Sequence, residues 1–233
     1  ATSPTLPPNP APVTLKVLRR MAEEGRPFAC LTCYDATTAR WLARGGVHVL
    51  LVGDTAAEMV LGFERTIDAP LDFMVTITAG VKRGAPDRVV MADMPFMSYQ
   101  ASQDCAVANA GRFLVEGMAD LVKLELDASF SPLVDRMARA GIPVCAHVGS
   151  RPQRAAMTSG YGSAGRTAWA GSAIGRWGRD RPQIGHPVRP DQQYPAGCVV
   201  DHEAGVLADA VRAQPATVAV AAEDQVVGAV RGR

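Results

Sequence analysis

The sequence predicts a parallel α/β fold of the TIM (β/α)8 barrel type. Two observations predict it first. Short strands that are apolar on both faces alternate with amphipathic helices, the mark of parallel βα units. Acidic and basic residues then recur at the ends of successive strands, where such barrels do their chemistry. The third observation is size: 233 residues, 48% of them apolar, suit one barrel domain at the short end of its range.

The segment 1–12 is rich in Pro and is read as a flexible leader, with 13–233 as a single barrel domain. Thr14 can cap a helix that carries Val17, Leu18 and Met21 on one side and stops at Gly25. Phe28–Thr32 is strand one, and Asp35 can cap the helix that follows it to Gly45-Gly46. Val47–Val52 is strand two, and Leu71–Val81 suits a helix. Arg88–Ala92 is strand three, followed by a helix over Ser102–Glu116. Leu121–Leu124 is strand four, Ser131 caps the next helix, and Pro143–Val148 is strand five.

The net charge of +1, without a basic run, disfavours nucleic acid and membrane surfaces as partners. No apolar stretch approaches the length of a membrane span. Five cysteines, an odd number at irregular spacing, argue for reduced thiols and a cytoplasmic location. Cys30 and Cys33 form a C-x-x-C, but residues three apart on a strand face opposite ways, so they are expected to pack as separate thiols.

Strand two runs into Asp54-Thr55, strand three into Asp93, strand four carries Lys123 and Glu125, and strand five ends at His147. One acid at a strand end is commonly a helix cap. Three in succession repel one another in a cleft, and a divalent cation relieves that repulsion. Oxygen ligands point to Mg²⁺. Lys123 and Glu125 share a face by the strand period, so an inward Lys123 needs an anionic partner, expected to be a substrate carboxylate or, without substrate, the neighbouring acids. His147 can hydrogen-bond a substrate or a carboxylate, or serve as a structural donor. Arg151 and Gln153 read as solvated surface.

Several runs now resemble one family. They are Leu31-Thr-Cys-Tyr-Asp35, Leu51-Val-Gly-Asp54, Val60-Leu-Gly62, Met91-Ala-Asp-Met-Pro-Phe96 with Ser98-Tyr99, Val122-Lys-Leu-Glu125, Gly141-Ile-Pro143, and His147-Val-Gly-Ser-Arg-Pro-Gln153 with Gly160-Tyr161. Their order and spacing, over about residues 14–167, are similar to ketopantoate hydroxymethyltransferase (3-methyl-2-oxobutanoate hydroxymethyltransferase). The resemblance implies a TIM barrel that transfers a hydroxymethyl group from 5,10-methylenetetrahydrofolate to 3-methyl-2-oxobutanoate, giving ketopantoate for pantothenate and coenzyme A. It implies Mg²⁺ on Asp54 and Asp93 with Glu125 nearby. Asp54 and Asp93 would also meet the keto acid, with Thr55, usually serine in the family, and Lys123 on its carboxylate. A homo-oligomer, often a decamer, is implied too. Other readings of the same residues are a related Mg²⁺-dependent 2-keto-acid barrel enzyme of the phosphoenolpyruvate mutase and isocitrate lyase group, or a non-catalytic relic that keeps the metal site.

The last third departs from the family. Residues 168–197 hold five Gly, four Arg and four Pro with no helical or strand period, an irregular excursion that looks like a replaced or frame-shifted segment. Strands six to eight are therefore uncertain or degenerate. Cys198–Val200 and Thr217–Val220 are expected to pair as parallel strands beside strand five. Matching Leu207-Ala208 to the family's Leu-Ala places Asp201 where a glutamate general base stands; otherwise Asp201 is a loop residue.

Overall fold

The computed structural model of the protein describes residues 11–148, 151–153, 198–201 and 218–221. Residues 1–10 of the segment 1–12 read as a leader, and all of 168–197 read as an excursion, lie outside the described residues. Among the described residues, seven parallel strands stand side by side in chain order, the order of an α/β barrel. They are β1 Cys30–Thr32, β2 Val49–Val52, β3 Val89–Asp93, β4 Leu121–Glu125, β5 Val144–Val148, β6 Cys198–Asp201 and β7 Val218–Ala221. β6 pairs with β5 and β7 with β6, both parallel, as the sequence of the tail predicts.

Among the described residues there are six α-helices, α1 ahead of β1 and the rest between strands: α1 Leu15–Glu23, α2 Ala36–Arg44, α3 Ala56–Met59, α4 Leu71–Gly84, α5 Gln103–Val115 and α6 Ser131–Arg139. Thr14 and Asp35 cap as expected, and Ser102, read from the sequence as the first helical residue, is the cap of α5. Thr14 accepts from the N–H of Val17 at 3.3 Å, Asp35 from those of Thr37 and Thr38 at 2.8 and 2.9 Å, and Ser102 from that of Cys105 at 3.2 Å. α6 is a correction: Ser131 is its first residue rather than its cap, and Pro132 sets the first turn instead. α3 escapes the sequence reading because four residues are too few to show a period. No described helix is long and apolar enough to cross a membrane.

The strand period sorts the core into two. Leu50, Val52, Val90, Ala92, Val122, Leu124, Val144 and Ala146 pack outward against Met74, Val81, Phe113 and Met137 of the helices. Cys30, Val49, Val89, Met91, Leu121 and Cys145 face the other way and form one interior cluster with Leu18 of α1. Side chains of β1 and β5 would stand about 19 Å apart across a flat sheet with strands about 4.8 Å apart. Yet Cys30 and Cys145 belong to one interior cluster, and α1, which precedes β1, lies against β7 at the far end of the strand order, so the sheet curls toward a barrel. Burial, and then Cys145, push the Cys30 thiol up to about 12. Cys33 lies in the outer layer, so the C-x-x-C is split between the two faces as predicted.

α4 meets α2 closely at Gly84, where a Cβ would lie 2.7 Å from Ala36 Cα and 2.9 Å from Ala36 C. Backbone cannot yield there without moving a helix. Gly84→Ala is expected to destabilise the fold by about 1–3 kcal/mol through overpacking. Urea unfolding checks this, and a loss below about 0.5 kcal/mol, the range of neutral surface changes, rejects it.

Candidate active site

The strand register brings the predicted residues together. Asp93 stands opposite Lys123, and Glu125 opposite His147. Asp54 follows β2 by two residues through Gly53. A Cβ on Gly53 would lie 3.0 Å from Thr55 Oγ1 and 3.6 Å from Asp93 Oδ2, so glycine keeps this corner open. Asp54, Asp93, Lys123, Glu125 and His147 are all buried, with 5–8% of each exposed. Charged residues are seldom buried so completely unless paired.

Lys123 Nζ donates to Asp93 Oδ1 at 2.6 Å. The backbone N–H of Asp54 donates to Asp93 Oδ2 at 3.3 Å, which sets the two aspartates side by side. Burial, and then the Asp93 charge, push the Asp54 carboxyl up to about 7. Burial also raises Glu125 to about 7 against the pull of Lys123. For Lys123 itself, burial disfavours the ammonium, but Asp93 and Asp54 outweigh it and its pKa is raised. His147 Nδ1 lies 3.6 Å from Glu125 Oε1.

Three further side chains complete the cluster. Tyr34 OH and Thr55 Oγ1 share a hydrogen bond of 2.6 Å. Tyr99 returns beneath the site after a tight turn in which Ser98 N donates to the Pro95 carbonyl at 3.0 Å and Met97 takes a left-handed φ of 65°. Its hydroxyl donates to Gln153 Oε1 at 2.8 Å and accepts from the N–H of Glu125 at 3.1 Å. Gln153 is the main correction to the sequence reading. It is not solvated surface but 5% exposed, and its Nε2 donates to Asp54 Oδ2 at 2.9 Å. Arg151 is likewise only partly exposed, and its Nη1 donates to Asp127 Oδ2 at 2.8 Å. All three side chains fall inside the runs Leu31–Asp35, Ser98-Tyr99 and His147–Gln153. That recurrence was the available signal, since a glutamine after a strand has no period to betray burial.

Among the described residues, no three of His, Cys, Asp and Glu form a ready metal cage. A divalent cation would nevertheless balance the charge of this donor set. Three carboxylates against one ammonium leave a buried charge of −2 when all are ionised, and two of the carboxylates are pushed up to about 7 by that environment. Asp54 and Asp93 are joined by a backbone-to-carboxylate hydrogen bond, and Glu125 ends β4, the strand paired with β3. Asp201 closes β6, where it pairs in register with Val148, while Val200 pairs with His147.

The sequence matches the family model described as "Ketopantoate hydroxymethyltransferase" over residues 12–186. A relative from Rhodococcus jostii, named 3-methyl-2-oxobutanoate hydroxymethyltransferase, is 44% identical over 149 residues, covering 64% of this chain and 52% of its own. One of the same name from Shouchella clausii is 40% identical over 161 residues, covering 69% and 58%. The chain thus spans about half the length of the curated relatives it matches. Among solved structures, a putative phosphonomutase from Burkholderia cenocepacia aligns with a TM-score of 0.62 at 17% identity, over 88% of this chain and 80% of its own. Phosphonopyruvate hydrolase, solved with oxalate and Mg²⁺, aligns with a TM-score of 0.60 at 12% identity, over 88% and 70%. Identities this low establish the shared barrel fold alone.

Proposed function

Because this chain belongs to the ketopantoate hydroxymethyltransferase family, we propose that its buried strand-end cluster transfers a hydroxymethyl group from 5,10-methylenetetrahydrofolate to 3-methyl-2-oxobutanoate, giving ketopantoate on the route to pantothenate and coenzyme A. The observation that carries the reading is the buried group of Asp54, Asp93, Glu125 and Lys123, which leaves a charge of −2 for a cation to balance. Asp54 and Asp93 would hold Mg²⁺, with Glu125 near it. When bound, the cation supplies Lewis-acid withdrawal of electrons from the keto acid, which acidifies C3.

The chain's own groups do the rest. Lys123 and the Thr55 hydroxyl take the keto-acid carboxylate, and Tyr34 fixes the hydroxyl's direction through its 2.6 Å hydrogen bond. Positioning of this kind holds C3 toward the one-carbon donor and limits unproductive poses. Burial of the cluster excludes water, which strengthens each of these electrostatic contacts. His147, beside Glu125, would keep that carboxylate oriented. The cysteines Cys30, Cys33 and Cys105, present as thiols rather than disulfides, support the proposed cytoplasmic location. A homo-oligomer is proposed on family resemblance.

Asp201 is the proposed acceptor of the C3 proton. A base must come within about 3 Å of its proton, and removing one typically costs about 10²–10⁴-fold. Asp201 stands in the row of Val148 rather than that of His147. Asp201→Asn therefore decides the assignment: a fall of that size in kcat at unchanged KM is expected, and an unchanged kcat would place the base elsewhere. The function itself is tested by incubating the full chain with Mg²⁺, 5,10-methylenetetrahydrofolate and 3-methyl-2-oxobutanoate. Formation of ketopantoate is expected; cation binding without turnover would mark a non-catalytic relic.

A further inference from the structure

Asp54 differs from the other charged members of the cluster in how it is aimed. Asp93, Lys123 and Glu125 lie on β3 and β4, where the strand period sets the direction of each side chain. Asp54 lies past the end of β2, beyond Gly53, so no strand period aims its carboxylate. Its backbone N–H is held by Asp93 Oδ2 at 3.3 Å, which fixes the main chain but leaves the side chain to turn. Among the described residues, that carboxylate accepts one hydrogen bond, from Gln153 Nε2 to Oδ2 at 2.9 Å. Gln153 enters from beyond β5 and is 5% exposed, so solvent does not compete for this contact.

The Gln153 amide is itself locked. One hydrogen of Nε2 goes to Asp54 and the other to the Met94 carbonyl at 3.1 Å, while Oε1 accepts from the Tyr99 hydroxyl at 2.8 Å and from Gln100 Nε2 at 3.2 Å. Both donors and both acceptor positions of the amide are thus filled. Turning it over would set Oε1 against the Met94 carbonyl, an acceptor facing an acceptor. The partners are anchored in turn on β4. Met94 N donates to the Lys123 carbonyl at 2.9 Å, Glu125 N donates to the Tyr99 hydroxyl at 3.1 Å, and Gln153 N donates to Glu125 Oε2 at 3.0 Å. The direction of the Asp54 carboxylate is therefore referred, through one amide, to the backbone of β4. We propose that Gln153 is a positioning residue for the keto acid, which acts through Asp54 by holding its carboxylate turned toward the bound substrate. This rests on the reading of the site given above.

The test is calorimetric titration of the full chain, in buffer containing Mg²⁺, with 3-methyl-2-oxobutanoate and, separately, with tetrahydrofolate. Wild type, Gln153→Met and Tyr99→Phe are compared, with far-ultraviolet circular dichroism as the check on folding. Gln153→Met keeps the length of the side chain and removes the donor to Asp54. It is expected to weaken keto-acid binding by about 10- to 100-fold, the usual effect of removing a partner that orients a ligating carboxylate, and to leave the Kd for tetrahydrofolate unchanged. Tyr99→Phe removes the hydroxyl that steadies Oε1 but leaves the amide donor, and is expected to weaken keto-acid binding by less, again without moving the folate. An unchanged keto-acid Kd in folded Gln153→Met overturns the inference and leaves the functional reading standing. An equal loss of both ligands also overturns it, since Gln153 would then support the mouth of the site as a whole. If Gln153→Met does not fold, an unchanged keto-acid Kd in Tyr99→Phe overturns it in the same way. Wild type that does not bind the keto acid overturns the functional reading, and this inference with it.

Discussion

Lys123→Met is expected to lower kcat/KM for the keto acid by about 10²–10³-fold, chiefly through KM, while the KM for the folate changes little. Removing one partner of a buried, hydrogen-bonded charge pair costs about 2–5 kcal/mol, and each 1.36 kcal/mol is about tenfold. Lys123 is 8% exposed, and its ammonium touches Asp93 Oδ1 at 2.6 Å. Methionine fills similar space without charge, so the loss is electrostatic rather than a cavity effect. Steady-state kinetics with each substrate varied in turn reads the result. An equal rise in both KM values would mean that Lys123 supports the site as a whole and does not meet the keto-acid carboxylate. The variant also leaves Asp93 without its cation, so its fold should depend more on added Mg²⁺ than the wild type does.

Asp54→Asn is expected to abolish cation-dependent binding of the keto acid and, at pH 8 in chelator, to make the protein more stable. The sign follows from linkage. Burial and then Asp93 push the folded-state Asp54 up to about 7 from an ordinary 3.8, and burial raises Glu125 in the same direction to about 7. Between those values the folded state binds more protons than the unfolded one. The stability tied to these groups is therefore full below about pH 4 and is lost as the pH rises through about 7. Cation-free wild type should lose on the order of 1–4 kcal/mol between pH 5 and 8. Asparagine carries no charge at pH 8 and can still accept from Gln153, so the variant should lose less. Asp127, held down to about 2 by Ser129 and Arg151 against the effect of burial, acts only at lower pH and does not blur this window. Urea unfolding at pH 5 and pH 8, with and without Mg²⁺, checks the pattern. Mg²⁺ should restore the wild type at pH 8 and do little for Asp54→Asn. Wild type that is more stable at pH 8 than at pH 5 in chelator would show that the cluster does not carry uncompensated charge.

The core of the fold was legible in the sequence because its signals are local. Val49–Val52, Val89–Ala92 and Leu121-Val122 carry apolar residues on both faces, and Thr14 and Asp35 cap through their own side chains within three residues. Parallel strands in chain order then bring Asp93, Lys123, Glu125 and His147 to one end and one face, because the strand period fixes their direction, whereas Asp54 lies past β2 and joins them through the turn at Gly53. Even the split of Cys30 and Cys33 between two layers follows from that period.

What the sequence could not decide depends on contacts between distant segments. Gln153 meets Asp54 across 99 positions of chain and Glu125 across 28, and no local pattern separates such a glutamine from a solvated one. Tyr99 enters the site only because the turn at Pro95–Ser98 reverses the chain, and Tyr34 matters only because β1 lies beside β2 and brings it to Thr55. The sequence by itself determined which strand ends carry charge. The tertiary structure decided how those charges are shared, with Lys123 on Asp93 and Gln153 on Asp54 and Glu125, because hydrogen bonds depend on direction and distance at the level of tenths of an ångström, and only the packed chain sets both.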